Sequence, residues 1–267
     1  MRYKTPTENW QPREPAPVFD RNRYSAVLLN RAVKSWQRLC QDERDSVIAA
    51  TLVTTDLARL GAPTTILGMA ARVIEDEIRH VEVCTRVLDN LGANTSITPP
   101  QGMRITLGGG GGDEDDVVEP RVARALIARF AVGESLSAAC FATARANTRE
   151  PMIAWAYTEL LRDEARHGAF GARAGEWVIR HWSPAQRQTL WSDCLREMQS
   201  FEQRVGGPVM SAPPFSIQRD TAAAALGLLS PQASCSAVIA SIPRWVLPHL
   251  ARMGGVPPAA ETSVLLQ

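Results

Sequence analysis

Apolar residues recur along this chain at intervals of three and four, the period at which a helix carries one buried face. Four of these stripes are each interrupted by one acidic residue. Leu39, Val47 and Ala50 flank Glu43; Val73, Ile74, Val81 and Cys84 flank Glu77. Ile127, Phe130, Ala138 and Phe141 flank Glu134; Tyr157, Leu160 and Leu161 flank Glu164. Other acids keep polar company. Asp42 shares its face with Ser35, Arg38 and Asp45, and Glu75 with Arg72, Arg79 and Glu82, so those faces read as solvated.

The breaks between stripes order the elements. Gly61-Ala62-Pro63 separates a first helix, running from Tyr24 or Ser35 to Leu60, from a second. Thr64 or Thr65 caps the second and Leu91-Gly92 ends it. Glu119-Pro120 opens a third helix and Glu150-Pro151 a fourth, with proline in the favoured first position. Ser183-Pro184 repeats that signature for a fifth. Residues 93–118 hold a Gly108–Gly112 run and an acidic Asp113–Asp116 patch, and can cross the length of a bundle. No run alternates as a strand does. The expected fold is all-α: an antiparallel four-helix bundle with one long crossover from helix 2 to helix 3 and additional C-terminal helices. Residues 1–23 form an extended arm, 24–182 the bundle, and 183–267 a helical extension packed on it. The two halves of the bundle make a weak internal repeat of about 90 residues.

One motif occurs twice: Asp76-Glu77-Ile78-Arg79-His80 and Asp163-Glu164-Ala165-Arg166-His167. Glu and His three apart on a helix lie within about 60° of each other and about 4.5 Å along the axis, so both can address one ion. Two such pairs plus a lone Glu from each of two more helices make the inward ligand set of a two-metal bundle. The levels agree. Glu77 and His80 lie about 21 and 25 Å beyond the first break, and Glu43 about 27 Å before it. Glu134 and Glu164 lie at nearly equal distances on either side of the Asn147–Pro151 break. Four carboxylates buried together without cations would be severely penalised, whereas two divalent ions balance them. An oxygen-rich set with two imidazoles favours iron or manganese over structural zinc.

The order E…E-x-x-H…E…E-x-x-H resembles the ferritin-like di-iron carboxylate superfamily. The D-E-x-R-H form is similar to its oxygen-activating branch, which includes the ribonucleotide reductase small subunit and bacterial multicomponent monooxygenases. The stretches E-R-D-S, L-G-A-P, D-E-I-R-H, V-G-E-S-L-S-A and D-E-A-R-H-G-A-F resemble a bacterial group called "ferritin-like domain" proteins, over about residues 35–180. The resemblance implies metal ligation by Glu43, Glu77, His80, Glu134, Glu164 and His167. It makes Glu77 and Glu164 the bridging carboxylates, and Asp76 and Asp163 the acids that orient the imidazoles. It implies two iron ions, or manganese in one or both places. The reaction it implies is oxidation of a small organic substrate with dioxygen, with electrons from a separate reductase. One departure is informative: Leu160 stands where the arylamine N-oxygenases of the superfamily carry an additional His. No Tyr matches the radical-forming small subunits. The alternatives are a ferroxidase or peroxide-detoxifying protein, and a structural module stabilised by metal. Storage proteins of the superfamily are typically much shorter than this chain.

The remaining features narrow the setting. Hydrophobic residues are 45% of the 267 and the net charge is +1, which excludes nucleic-acid steering and disorder. No apolar leader and no long uncharged apolar stretch is read, so the expectation is a cytoplasmic monomer or homodimer without membrane contact. Cys40, Cys84, Cys140, Cys194 and Cys235 are widely spaced and read as reduced core fillers; Cys84, one turn past His80, also falls near the metals. Gly168, Gly171 and Gly175 either leave room beside the metals or let another helix approach. The acidic patch reads as a solvated linker or a reductase docking patch. His181 and His249 receive no role. Trp177, Trp182 and Trp191 are expected to fasten the C-terminal region to the fourth helix.

Overall fold

The computed structural model of the protein describes residues 16–93, 118–192 and 221–253. The expected crossover with its glycine run and acidic patch, most of the expected arm, and Cys194 lie outside the described residues. All regular structure among the described residues is helical.

Ser25 starts α1 (Ala26–Arg59) by accepting a hydrogen bond from the Leu28 amide on its hydroxyl. Leu28, Ala32, Trp36, Cys40, Val53 and Leu57 form its buried stripe. The chain reverses through Gly61, whose φ of 74° is the left-handed conformation that glycine tolerates. The next helix, α2 (Thr64–Leu91), has Pro63 rather than a threonine before its first residue. Proline presets φ but offers no side-chain acceptor, so no side chain caps this end. Gly92, at φ 76°, ends α2. α1 and α2 pack along each other as a hairpin.

The third rod, α3, spans Val118–Asn147. Its first and last parts are α-helical, but Ala125–Glu134 is a π-helix. By length and composition this rod could cross a membrane, although Arg129 and Glu134 stand in its middle. Two-thirds of its apolar window (67%) is buried by the other helices, so packing within the protein already accounts for that composition. After Thr148–Glu150, Pro151 opens α4 (Pro151–Val178), as expected. A further helix, α5, occupies 184–192 up to the limit of description. Three short helices follow: α6 (Thr221–Ala225), α7 (Pro231–Ser241) and, after a π turn, α8 (Leu247–Arg252).

Two apolar clusters hold the rods together. One gathers Leu57, Val73, Ile127, Phe130, Phe170 and Val178, and the other Trp36, Leu91, Met152, Ile153 and Leu160. Full burial of each such large side chain stabilises by roughly 1.5–3 kcal/mol. α7 packs on the second half of α3, and α8 on α4 and the π segment. Tyr157 donates to the Gly227 carbonyl at 3.1 Å and lies 5.1 Å from Trp36, which ties the C-terminal region to the second cluster. The tryptophans divide their work. Trp191 is buried in the first cluster, while Trp182 donates to Glu119 at the start of α3, not to α4. Arg180 stacks on Trp177.

Candidate metal centre

Three of the long rods, α1, α2 and α4, pass from one apolar cluster to the other through a short polar layer. On α1 the layer is Glu43, between Cys40 and Ala49; on α2 it is Asp76, Glu77 and His80, between Val73 and Val83. On α4 it is Asp163, Glu164 and His167, between Leu160 and Phe170. Glu134 completes it from α3, and all eight side chains are buried.

The geometry is nearly symmetrical. Glu77 turns Oε1 toward His167 Nδ1 at 3.1 Å and Oε2 toward His80 Nδ1 at 3.5 Å. Glu164 turns Oε1 toward His80 Nδ1 at 3.6 Å and Oε2 toward His167 Nδ1 at 3.9 Å. Glu43 closes one side, 3.3 Å from His80 Nδ1. Glu134 closes the other. The ligand atoms of Glu43, Glu77 and His80 all lie within 4.8 Å of one another, as do those of Glu77, Glu134 and His167. Glu77 therefore belongs to both groups.

The aspartates cross over. Asp76, beside Glu77 in sequence, has Oδ2 3.4 Å from Nε2 of His167 on the other motif; Asp163 Oδ2 lies 3.6 Å from Nε2 of His80. Arg79 donates through Nη2 to Asp163 at 2.7 Å and also to Asp76. Arg166 donates through Nη2 to Asp76 at 3.0 Å and also to Asp163. Two acids and two guanidinium groups thus form a square behind the imidazoles. The acids pair with the arginines while each also faces an imidazole nitrogen of the opposite motif. Burial alone would raise both acids, but His167 and Arg166 hold Asp76 below the usual carboxylate range. His80 and Arg79 do the same for Asp163.

The glutamates behave differently. Burial pushes Glu43 up to about 7, only partly offset by His80. Burial also raises Glu134 and, with Glu134 beside it, raises Glu164 far above its ordinary range. Glu77 is lowered, because His167 and His80 outweigh its burial. Burial would lower His167, but Asp76 and Glu77 hold it at about 10; Asp163, Glu43 and Glu77 raise His80 likewise. Burial thus favours the neutral form of Glu43, Glu134 and Glu164, and the neighbouring carboxylates favour the charged form of both imidazoles.

The layer is poorly satisfied by hydrogen bonds. Both oxygens of Glu77, Oε2 of Glu164, Nε2 of His80 and both ring nitrogens of His167 are buried without a hydrogen bond. An unmade hydrogen bond on a buried polar atom costs about 1–3 kcal/mol. Native proteins carry few such atoms, so six in one layer mark a place shaped for something other than the protein's own donors. Carboxylate oxygens and imidazole nitrogens are the donors that iron and manganese accept. Glu43, Glu77 and His80, and likewise Glu77, Glu134 and His167, are groups that could hold a metal ion, while the two aspartates are balanced by two arginines.

The π-helix and the glycines were not legible in the sequence as they are used. A π turn carries an extra residue, which rotates everything beyond it by about 100°. The expected stripe included Ala138 and Phe141; beyond the π segment Phe141 is buried as expected, whereas Ala138 is half-exposed and Ala139 is buried in its place. Gly171 sits against this segment: a Cβ there would lie 2.6 Å from the Leu126 carbonyl oxygen and 2.7 Å from Phe130 Cβ. It would be closer still to the Ala131 amide nitrogen. Gly175 takes Met253 and Ile127, and Gly168 takes Ser135 and His249. Close approach thus accounts for the glycine stripe. His249, given no role from sequence, reaches α4 at Gly168, the residue after His167, where Ser135 also approaches. No spacing signal announces it, because it arrives from α8. Cys84 packs in the second cluster, where burial and then Glu43 raise its thiol, so it remains neutral. Leu160 is fully buried one turn before Glu164, an apolar wall.

No family model, no curated protein and no solved structure matches this chain.

Proposed function

We propose that this chain is a ferritin-like di-iron oxidoreductase that oxidises a small organic substrate with dioxygen, its four long rods forming an antiparallel bundle. The observation that carries the reading is the pair Glu77 and Glu164: each offers one oxygen to the His80 side and one to the His167 side. That arrangement suits two ions held by shared carboxylates. Glu43 and His80 would complete one position, and Glu134 and His167 the other. Reduced iron, when bound, supplies the electrons and the open coordination positions that dioxygen requires.

The protein's own contribution follows from what surrounds the ligands. Asp163 and Asp76 face Nε2 of the imidazoles at 3.6 and 3.4 Å, and each Nδ1 faces the glutamates; on metal binding the aspartates would orient the rings. Arg79 and Arg166 keep both aspartates ionised, so that they accept from the imidazole rather than donate. Phe130 and Phe170, in edge contact at 5.3 Å, and buried Leu160 exclude water and lower the local dielectric. Glu43, Glu134 and Glu164 have raised affinities for protons and can take up or release one as the charge of the centre changes.

The direct test is stoichiometric. Iron-loaded, reduced protein is expected to consume dioxygen and leave an oxidised organic product when offered metabolite fractions. Dioxygen consumption with no organic product, by a hollow multi-subunit shell, would support iron storage and contradict the proposal.

Two further outcomes are expected. Asp163→Asn preserves size but removes the acceptor facing His80 and one partner of each arginine. Metal affinity should fall about 10–100-fold with helical content retained; equilibrium dialysis and circular dichroism measure both. The second concerns pH. Glu43, Glu134, Glu164, His80 and His167 all bind protons more tightly folded than unfolded, so metal-free stability falls as pH rises from the carboxylate range toward 10. The lowered Asp76, Glu77 and Asp163 act in the opposite sense, and their contribution is lost as pH falls below the ordinary carboxylate range. Metal must displace the bound protons, so affinity rises with pH. Metal-free protein should melt higher at pH 5.5 than at pH 8.5, and iron loading at pH 7 should release protons.

A further inference from the structure

Behind the square of aspartates and arginines, on the outer side of α2 and α4, runs a groove of about 350 Å³. Thr65, Gly68 and Arg72 line it from α2, and Arg166, Ala169 and Phe170 from α4. From Thr65 to Arg72 it extends about 10 Å at 1.5 Å per residue. Among the described residues its lining is otherwise apolar, with no acidic side chain. Arg72 is 62% exposed, with a loose pairing at 3.9 Å to Glu75 on the next turn. Arg166 is half-exposed and uses Nη2 alone for both of its aspartates.

Gly68 is the informative residue. Glycine inside a helix is unfavourable relative to alanine, so a helix-interior glycine calls for a reason. The usual reasons fail here. Gly68 has no positive φ, and a Cβ built on it would meet nothing within 4 Å. The other glycines of the α2–α4 pair, Gly168, Gly171 and Gly175, are each filled by a neighbouring side chain or backbone. Gly68 is exposed on α2 and lines the groove, so its missing side chain widens a surface groove flanked by two cations.

We propose that this groove binds a small organic anion, an acid with a short apolar chain. The chain lies over Gly68, Ala169 and Phe170, and the carboxylate sits between Arg72 and Arg166. The length suits an acid of about eight carbons, and the volume falls in the range of ordinary ligand pockets. Arg166 is one bond from Asp76, which faces His167, so the bound acid adjoins the side of the centre that orients the imidazoles. The site does not depend on the metal reading. It is tested on protein with and without bound iron, and failure of iron binding leaves its prediction intact.

The probe is octanoate, titrated calorimetrically, with octanamide as the neutral match in length. Saturable binding of octanoate is expected, with octanamide at least about tenfold weaker, the difference of one charge-assisted contact. Arg72→Gln should weaken octanoate about tenfold. Gly68→Leu should abolish binding while melting no lower than the parent, because its side chain enters open space. Arg72→Gln guards against misfolding as an explanation, since it changes only an exposed side chain. Lack of saturable octanoate binding, or undiminished binding by folded Gly68→Leu protein, would overturn the proposal.

Discussion

Glu77→Gln protein is expected to bind ferrous iron about 100-fold more weakly than the parent, or worse. Both oxygens of Glu77 are buried, neither has a hydrogen bond, and each faces a different histidine. An amide keeps the shape, loses the charge, and replaces one donor oxygen by an NH2 group that cannot ligate. Both metal positions should suffer together, since Glu77 belongs to both ligand groups. Glu75→Gln, two residues away on the exposed face of α2, is the control and should bind as the parent does. Thermal melting reports the same loss. A ligand that binds only the folded state at 1,000 times its dissociation constant stabilises by about 4.1 kcal/mol. At roughly 2–4 °C per kcal/mol for a chain of this size, iron should raise the parent's Tm by about 10 °C and leave that of Glu77→Gln nearly unchanged.

Gly171→Ala is the second large effect, and it arises from packing. A Cβ at this position enters the backbone of the π segment, which no rotamer change can relieve. Overpacking of a core costs about 1–3 kcal/mol and occasionally more. Because rigid backbone is what the methyl meets, the upper end or beyond is expected, a Tm loss of about 6–12 °C. The segment ends at Glu134, so the variant should also lose iron affinity at the His167 side. Gly68→Ala, on α2, should be neutral or gain up to about 1 kcal/mol. The contrast between two glycine-to-alanine changes in neighbouring helices separates a steric requirement from helix propensity.

The sequence shows the centre because burial and charge conflict there. Glu43, Glu77, Glu134 and Glu164 stand in apolar stripes where a carboxylate is unfavourable, and period and level alone bring them to one layer with His80 and His167. What periodicity cannot show is an extra residue in a turn. The π segment exists through its fit against Gly171, a contact between residues far apart in the chain. The crossing of Asp76 to His167 and of Asp163 to His80 was hidden for a related reason. Sequence neighbours suggest service within a motif, whereas the two antiparallel helices bring each aspartate beside the other motif's imidazole. His249 arrives from a short helix with no ligand spacing, and only the notch at Gly168 reveals its place.

Crystals of iron-loaded protein, measured at the iron absorption edge, test the central claim most directly. The account predicts two anomalous peaks in the buried layer, both touching Glu77 and Glu164, one beside His80 and Glu43 and the other beside His167 and Glu134. A layer without anomalous density at full iron loading, with its glutamates and histidines bonded only to one another, would contradict it.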